Sequence, residues 1–253
     1  MEYITSLSNN KIKKIVKLKE AKVRKVEKKF LIEGKHLIED AFKKGLVLTL
    51  LGSEEQLQTL SHLNTQNIEI LVITNPIAEK LSDVVTSQNL FAVCQFLEQT
   101  IDLEHNILIL DQLQNPGNLG TLIRSAAAFN FKTIIASENT VNFYNDKVLR
   151  STQGNFFQVN LINQNLITTM EILKNNNYQI IGTTLHQDAQ MLNDVNWSRK
   201  SKYALIIGNE ANGISSQISQ LIDFNVLVEM DVQVESLNAG VAGSLIMYNI
   251  QNC

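Results

Sequence analysis

Three short polar clusters carry residue types that can do chemistry. The first runs from Asp111 to Arg124, with turn residues at Asn115-Pro116-Gly117, Asn118 as the expected N-cap of a helix opening at Leu119, and Arg124 six residues beyond that cap. A guanidinium near the carboxyl edge of a sheet can meet a phosphate or a developing oxyanion, although arginines on helices are often simply solvated. The second cluster, Gly208-Asn209-Glu210-Ala211-Asn212-Gly213, sets a carboxylate between two glycines at a strand-to-helix crossing. Gly208 permits close backbone approach and Gly213 suits a sharp turn. The cluster lacks the Lys-Ser/Thr of a phosphate-binding P-loop and the spacing of a dinucleotide fingerprint, so a plain βα loop with an exposed Glu is the bland alternative. In the third, Ser236 is expected to cap a helix whose first turns hold Ala239, Gly240, Ala242, Gly243 and Ser244, leaving Ser236 and Asn238 at its start. Such small side chains suit tight helix–sheet packing.

These clusters need a scaffold that presents loops at one edge. From Asn106 onward, apolar runs at 107–110, 133–136, 156–159, 179–182, 203–207 and 226–230 read as strands. Helical patterns at 119–129, 166–174, 214–222 and 236–250 lie between most of them. Near-continuous apolar strands separated by helices predict a parallel sheet covered on both faces, with ligands at the carboxyl ends of its strands. Residues 30–97 alternate short strand-like runs (46–51, 68–73, 91–96) with helices and form a smaller α/β unit. The polar stretch 98–105 reads as a linker, giving domains at 1–98 and 106–253.

Composition excludes several classes. The chain has 253 residues, 44% hydrophobic and 19% charged, with 2 prolines and 11 glycines, which rules out collagen-like and low-complexity chains. No apolar run approaches a membrane span, and the lysine-rich start is no signal peptide. Cys94 and Cys253 offer neither a disulfide framework nor a metal knuckle, so a cytoplasmic protein without a membrane partner is expected. His36, His62, His105 and His186 lack metal-ligand spacing and read as structural or solvated.

The net charge of −3 conceals a division. Residues 1–30 carry ten Lys/Arg against Glu2, Glu20 and Glu27, a net +7, which leaves −10 on the rest. Ile12, Val16, Val23, Val26 and Phe30 recur at helical spacing, predicting one amphipathic helix that docks an apolar face and presents lysines. It is an electrostatic arm for a polyanion or a solvated face, and a membrane-surface helix is a third reading that the lack of bulky Trp or Leu anchors disfavours.

Taken together, the motifs Asn-Leu-Gly-x-x-x-Arg (118–124), Gly-x-Glu-x-x-Gly (208–213) and Ser-Leu-Asn (236–238) resemble those of the SpoU–TrmH family of RNA ribose 2′-O-methyltransferases in the SPOUT superfamily. Thr5-Ser6-Leu7-Ser8-Asn9 and Phe30-Leu31-Ile32-Glu33-Gly34 are similar to the start of members with a small RNA-binding domain, whose fold some ribosomal proteins share. The resemblance implies a deep C-terminal trefoil knot, a homodimer, and S-adenosylmethionine as cofactor with S-adenosylhomocysteine as product and no metal. It implies cofactor contacts at Thr183, Gly208, Val228 and Leu237. The chain departs from the family at Val228-Glu229-Met230, where Ile-Pro-Met is usual, at Val232 for a glycine, and at Ala239-Gly240 for Val-Ser.

The implied chemistry is displacement of methyl from a sulfonium by a ribose hydroxyl, which attacks poorly until its proton leaves or its charge is stabilised. Arg124 resembles the family arginine of that step. As a guanidinium, which donates hydrogen bonds and does not readily release its proton, it suits binding the target phosphate and stabilising alkoxide character better than abstracting a proton. Asn118 and Glu210 are expected to orient that guanidinium, and Ser236 and Asn238 to position the ribose or its phosphate. Lys11, Lys13, Lys14, Lys17 and Arg24 are expected to contact RNA phosphates, with large-subunit ribosomal RNA favoured over transfer RNA. A non-catalytic RNA-binding or ribosome-assembly protein on the same scaffold is an alternative, against which the intact polar set speaks. A Rossmann-type enzyme is another, and its required acidic residue could only be Glu138.

Overall fold

Left-handed backbone at Lys28 (φ 52°) ends the basic segment and turns the chain into its first long strand. The computed structural model describes residues 1–84, 86–184 and 189–253, so His186 lies outside the described residues. The chain forms two compact units, 1–98 with 144–157 and 99–143 with 158–253.

The first unit contains strands β1 (Glu2–Ile4), β2 (Lys29–Glu33), β3 (Val47–Gly52), β4 (Glu69–Ile73) and β5 (Leu90–Gln95). They form one mixed sheet in the order β1-β4-β3-β5-β2, with β1, β4 and β3 parallel and β5 antiparallel to both neighbours. The basic segment is two helices, not one: α1 (Asn10–Lys17) and α2 (Ala21–Glu27). At the break, Arg24 Nη1 donates to the carbonyls of Leu18 (3.0 Å) and Lys19 (2.6 Å), which the end of α1 leaves without helical donors. The buried stripe is therefore Ile12, Ile15 and Leu18, packed on Leu71, Ile73 and Ile77, while Val26, expected on the stripe, is 74% exposed. Helices α3 (Lys35–Lys43), α4 (Glu54–Gln58) and α5 (Asn75–Leu81) complete residues 1–98. The sequence reading assigns residues 144–157 to the second domain. They belong to the first unit, where Tyr144 stacks on Phe96 at 3.9 Å and lies 4.7 Å from Phe30.

The second unit carries β6 (Asn106–Leu110), α6 (Pro116–Ala128) and β7 (Phe131–Ala136); α7 (Asp146–Ser151) lies in the inserted segment. After it come β8 (Asn160–Asn163), α8 (Leu166–Asn175), β9 (Tyr178–Thr183), β10 (Gln190–Met191), β11 (Lys202–Ile207), α9 (Ser216–Ser219), β12 (Phe224–Leu227) and α10 (Ala239–Gln251). The seven strands are ordered β10-β12-β9-β11-β6-β7-β8, and every neighbouring pair is parallel, as the apolar runs predict. Three expectations shift. Residues 155–158 form a 3₁₀ turn where a strand over 156–159 is expected, α9 is four residues long rather than nine, and β12 stops at Leu227. The outer strand β8 is covered by a side chain. Gln99 accepts the Leu161 N–H at Oε1 and donates from Nε2 to the Val159 carbonyl at 3.3 Å, while Asn160 Nδ2 donates to Thr100 O at 3.1 Å.

The chain leaves β6 toward β7 on one side and leaves β11 toward β12 on the other. That divergence opens a crevice at the carboxyl ends of β6 and β11, where parallel α/β sheets bind ligands.

Candidate active site at the carboxyl edge of the parallel sheet

The loop after β6 begins with Gln112 in the left-handed region (φ 60°), held from both sides. Its N–H donates to Ser137 Oγ at 2.9 Å, and its carbonyl accepts from Asn209 Nδ2 at 2.9 Å and Gln114 Nε2 at 3.2 Å. Helix α6 opens at Pro116 with Asn115 as its cap, the Asn115 side chain accepting from the N–H groups of Gly117 (2.8 Å) and Asn118 (3.3 Å). The cap is thus three residues earlier than expected, and Asn118, 7% exposed, lies in the first turn and points inward. Asparagine followed by proline is a legible helix start.

Glu210 comes to this loop from the turn after β11. Its Oε2 accepts the Gln114 N–H at 3.0 Å, and its Oε1 accepts the Asn115 N–H at 2.9 Å and Asn118 Nδ2 at 3.0 Å. Partial burial pushes this carboxyl up, but the hydrogen bonds from Gln114, Asn115 and Asn118 outweigh it and hold the group below the usual carboxylate range.

The third motif joins through Asn238, whose Nδ2 donates to Asn118 Oδ1 at 2.8 Å. Its Oδ1 accepts from Gly240 N (3.0 Å) and Val241 N (3.3 Å), so Asn238, not Ser236, is the cap of α10. A carboxylate only accepts and backbone N–H groups only donate, so both amides between them have one permitted orientation. The result is a directed relay, from the α10 N-terminus through Asn238 and Asn118 to Glu210, that links all three motifs. Helices α6 and α10 are also tied by Ser125 and Ser244 hydroxyls at 2.6 Å. Between the two ties a Cβ on Gly243 would meet the end of the Leu122 side chain at 2.5 Å, so any larger residue there would have to displace Leu122.

Arg124 is exposed and makes no hydrogen bond or ion pair with any described residue. The expected fork from Asn118 and Glu210 onto it is not formed within the chain, because those two bind each other. Six residues of helix separate Asn118 from Arg124 by about 9 Å along the axis and about 120° around it. Ser236 is exposed in the segment before α10, without a hydrogen bond to any described residue.

Thr183, Gly208 and Val228 lie at the ends of β9, β11 and β12, which are neighbours in the sheet, and half-buried Leu237 precedes the α10 cap. Thr183 Oγ1 donates to Ile206 O at 3.1 Å, which leaves its lone pairs as the only capacity for a ligand. This edge suits a cationic adenosyl sulfonium: residues 228–237 include Glu229, Asp231 and Glu235 and no basic residue, beside apolar Val228 and Leu237. Among the described residues no cluster of three or more His, Cys, Asp or Glu could hold a metal.

In the first unit, Lys13, Lys14 and Lys17 are exposed and form no ion pair with any described residue. Lys11 is bound to Glu2 (2.5 Å) and Glu69 (2.7 Å). Arg24, expected to reach phosphate, is 7% exposed and braces the α1–α2 joint instead. His36 and His62 are solvated beside Glu39, and His105 Nδ1 pairs with Asp102 at 2.8 Å. No described helix is long and apolar enough to cross a membrane.

Residues 105–248 match the SpoU rRNA Methylase family, and residues 9–92 match the MRM3-like substrate binding domain. The chain is 33% identical over 252 residues to the 23S rRNA (guanosine(2553)-2′-O)-methyltransferase RlmP of Bacillus subtilis, spanning 99% of this chain and all of that one. An AdoMet-bound rRNA methyltransferase from Sinorhizobium meliloti shares the fold with a TM-score of 0.88 at 21% identity, over 98% of this chain and 97% of that one. So does the SpoU methyltransferase AviRb from Streptomyces viridochromogenes in complex with AdoMet, with a TM-score of 0.85 at 22% identity over 96% and 97%.

Proposed function

The chain belongs to the SpoU rRNA methylase family, as an RNA ribose 2′-O-methyltransferase using S-adenosylmethionine, and from that premise we propose that its target lies in large-subunit ribosomal RNA and that Arg124 serves the attacking hydroxyl. The target class is supported by the full-length likeness to a 23S rRNA enzyme and by the substrate-binding match over 9–92.

The observation that carries the site assignment is the Asn238–Asn118–Glu210 relay, which joins the three motifs at the crevice between β6 and β11. When bound, S-adenosylmethionine supplies a methyl group already activated on sulfur. Thr183, Gly208, Val228 and Leu237 hold it, the first three from adjacent strand ends. Arg124, permanently charged and without a partner among the described residues, is available to bind the target phosphate and to stabilise alkoxide character on the ribose oxygen. Glu210 and Asn118, committed to each other, act by fixing the loop and helix that carry the arginine. Asn238 fixes the start of α10, and the exposed Ser236 hydroxyl positions ribose or phosphate.

Four further features complete the reading. The segment 228–251 is threaded as a trefoil knot; its support is the close approach of Gly243 in α10 to both Leu122 of α6 and Ile207 of β11. The enzyme works as a homodimer, supported by Val241, Leu245 and Tyr248, which are 46%, 42% and 54% exposed along one face of α10. It acts in the cytoplasm on RNA drawn to Lys13, Lys14 and Lys17. The unit of 1–98 with 144–157 serves RNA binding, and the unit of 99–143 with 158–253 serves methyl transfer.

Arg124→Ala is expected to bind S-adenosylhomocysteine as the wild type does while losing methyl transfer by about three orders of magnitude, the scale of one oxyanion-stabilising donor. Single-turnover transfer near the wild-type rate would refute the role. Mapping ribose methyls in total RNA with and without the protein identifies the nucleotide, and a lost mark in transfer RNA would move the target there.

A further inference from the structure

Asp111 directly follows β6, is 3% exposed, and makes no ion pair with any described residue. A buried carboxylate needs strong hydrogen bonds to remain charged. Its Oδ2 accepts the backbone N–H of Ser215 at 2.7 Å, and its own N–H donates to the Ile207 carbonyl at 2.9 Å. Ser215 precedes α9, and its side chain makes no cap bond. The carboxylate takes the N–H of the cap residue itself, the donor that an acidic side chain in the first turn takes in a capping box, and α9 has no acidic residue there.

Those two bonds bracket residues 208–214. Within the bracket, Asn209 and Gly213 exchange backbone hydrogen bonds, both 2.9 Å, and Asn209 Oδ1 accepts from Ala211 N and Asn212 N at 3.0 Å each. The loop is internally tied and pinned at both ends, with Glu210 at its tip. We propose that Asp111 is a positioning residue for methyl transfer: by holding Ser215 it sets the 208–215 loop so that Glu210 meets residues 114–118 and the Gly208 backbone faces the cofactor. This rests on the reading that the same loop holds S-adenosylmethionine.

Four variants test it. Ser215 has φ −62°, an angle proline adopts, so Ser215→Pro deletes the N–H while leaving Asp111 in place. Asp111→Leu removes the acceptor, Asp111→Asn keeps one, and Ser215→Ala keeps the N–H. Asp111→Leu and Ser215→Pro are expected to weaken S-adenosylhomocysteine binding, measured calorimetrically without RNA, by about tenfold or more, as loss of a hydrogen bond to a charged group predicts. They should also speed hydrogen exchange across 208–215 and lower kcat, with RNA affinity unchanged. Asp111→Asn and Ser215→Ala should stay within about threefold of wild type. Should Asp111→Leu fail to fold, Ser215→Pro decides. Wild-type affinity and exchange in the folded variants, or an Asp111→Asn as impaired as Asp111→Leu, overturns the role. A wild-type chain that methylates no RNA would refute the proposed function instead, while loop exchange would still answer for Asp111.

Discussion

At Glu210 burial and hydrogen bonding pull in opposite directions. Burial raises the carboxyl, three donors from 114–118 lower it further, and the ionised form prevails. A carboxylate saturated by donors is a poor proton acceptor, so Glu210 is read as a fastener and not as a base. Glu210→Gln would turn an amide NH2 toward donors on residues 114–118, and kcat/KM should fall by about tenfold to a hundredfold. The sign of the pH effect follows from the depressed pKa: the stabilisation is present above the unfolded carboxyl range and is lost as pH falls through the folded value. Thermal melts should therefore show wild type and Glu210→Gln well apart above the ordinary carboxylate range and converging as pH falls below it. A gap between the two that does not change with pH would contradict this account.

Helices and strands differ in how far the amino-acid order announces them. The parallel sheet was legible because its strands are apolar on both faces, and six of its strand positions follow from runs such as Ile107–Leu110 and Tyr203–Ile207, one of them displaced. Two caps lie away from their expected positions because several Asn and Ser residues compete to begin each helix. Asn115 wins over Asn118 by preceding proline, and Asn238 wins over Ser236 because Asn118 holds its amide. The interruption between α1 and α2 had no local signal, since Arg24 reaches carbonyls five and six residues back. The relay itself pairs residues about 90 to 120 positions apart, which no single motif contains. The outer face of α10 makes a test at this scale. Leu245→Asp with Tyr248→Asp places two charges on the exposed stripe and should convert a dimer to a monomer by analytical ultracentrifugation. A wild type that sediments as a monomer would remove the homodimer from the reading.

Over the whole molecule, charge is divided unequally: the first 30 residues are net +7 and the rest −10. Counter-ions released from RNA should make binding depend steeply on salt, and only the unpaired lysines can contribute fully. Charge reversal of Lys13, Lys14 and Lys17 should lower the slope of log K against log salt by about two or more. Charge reversal of Arg24 should instead destabilise the first unit, because that guanidinium closes the end of α1. An unaltered slope in the triple variant would remove α1 from the RNA contact.

The amide of Gln99 has a consequence for keeping such a protein dispersed. By offering Leu161 and Val159 what a neighbouring strand would offer, it occupies the flank of β8 where a foreign segment could otherwise anneal. Gln99→Leu should leave catalysis intact yet bring the onset of turbidity on warming to lower concentrations. An onset that does not move would mean the flank is guarded by other means.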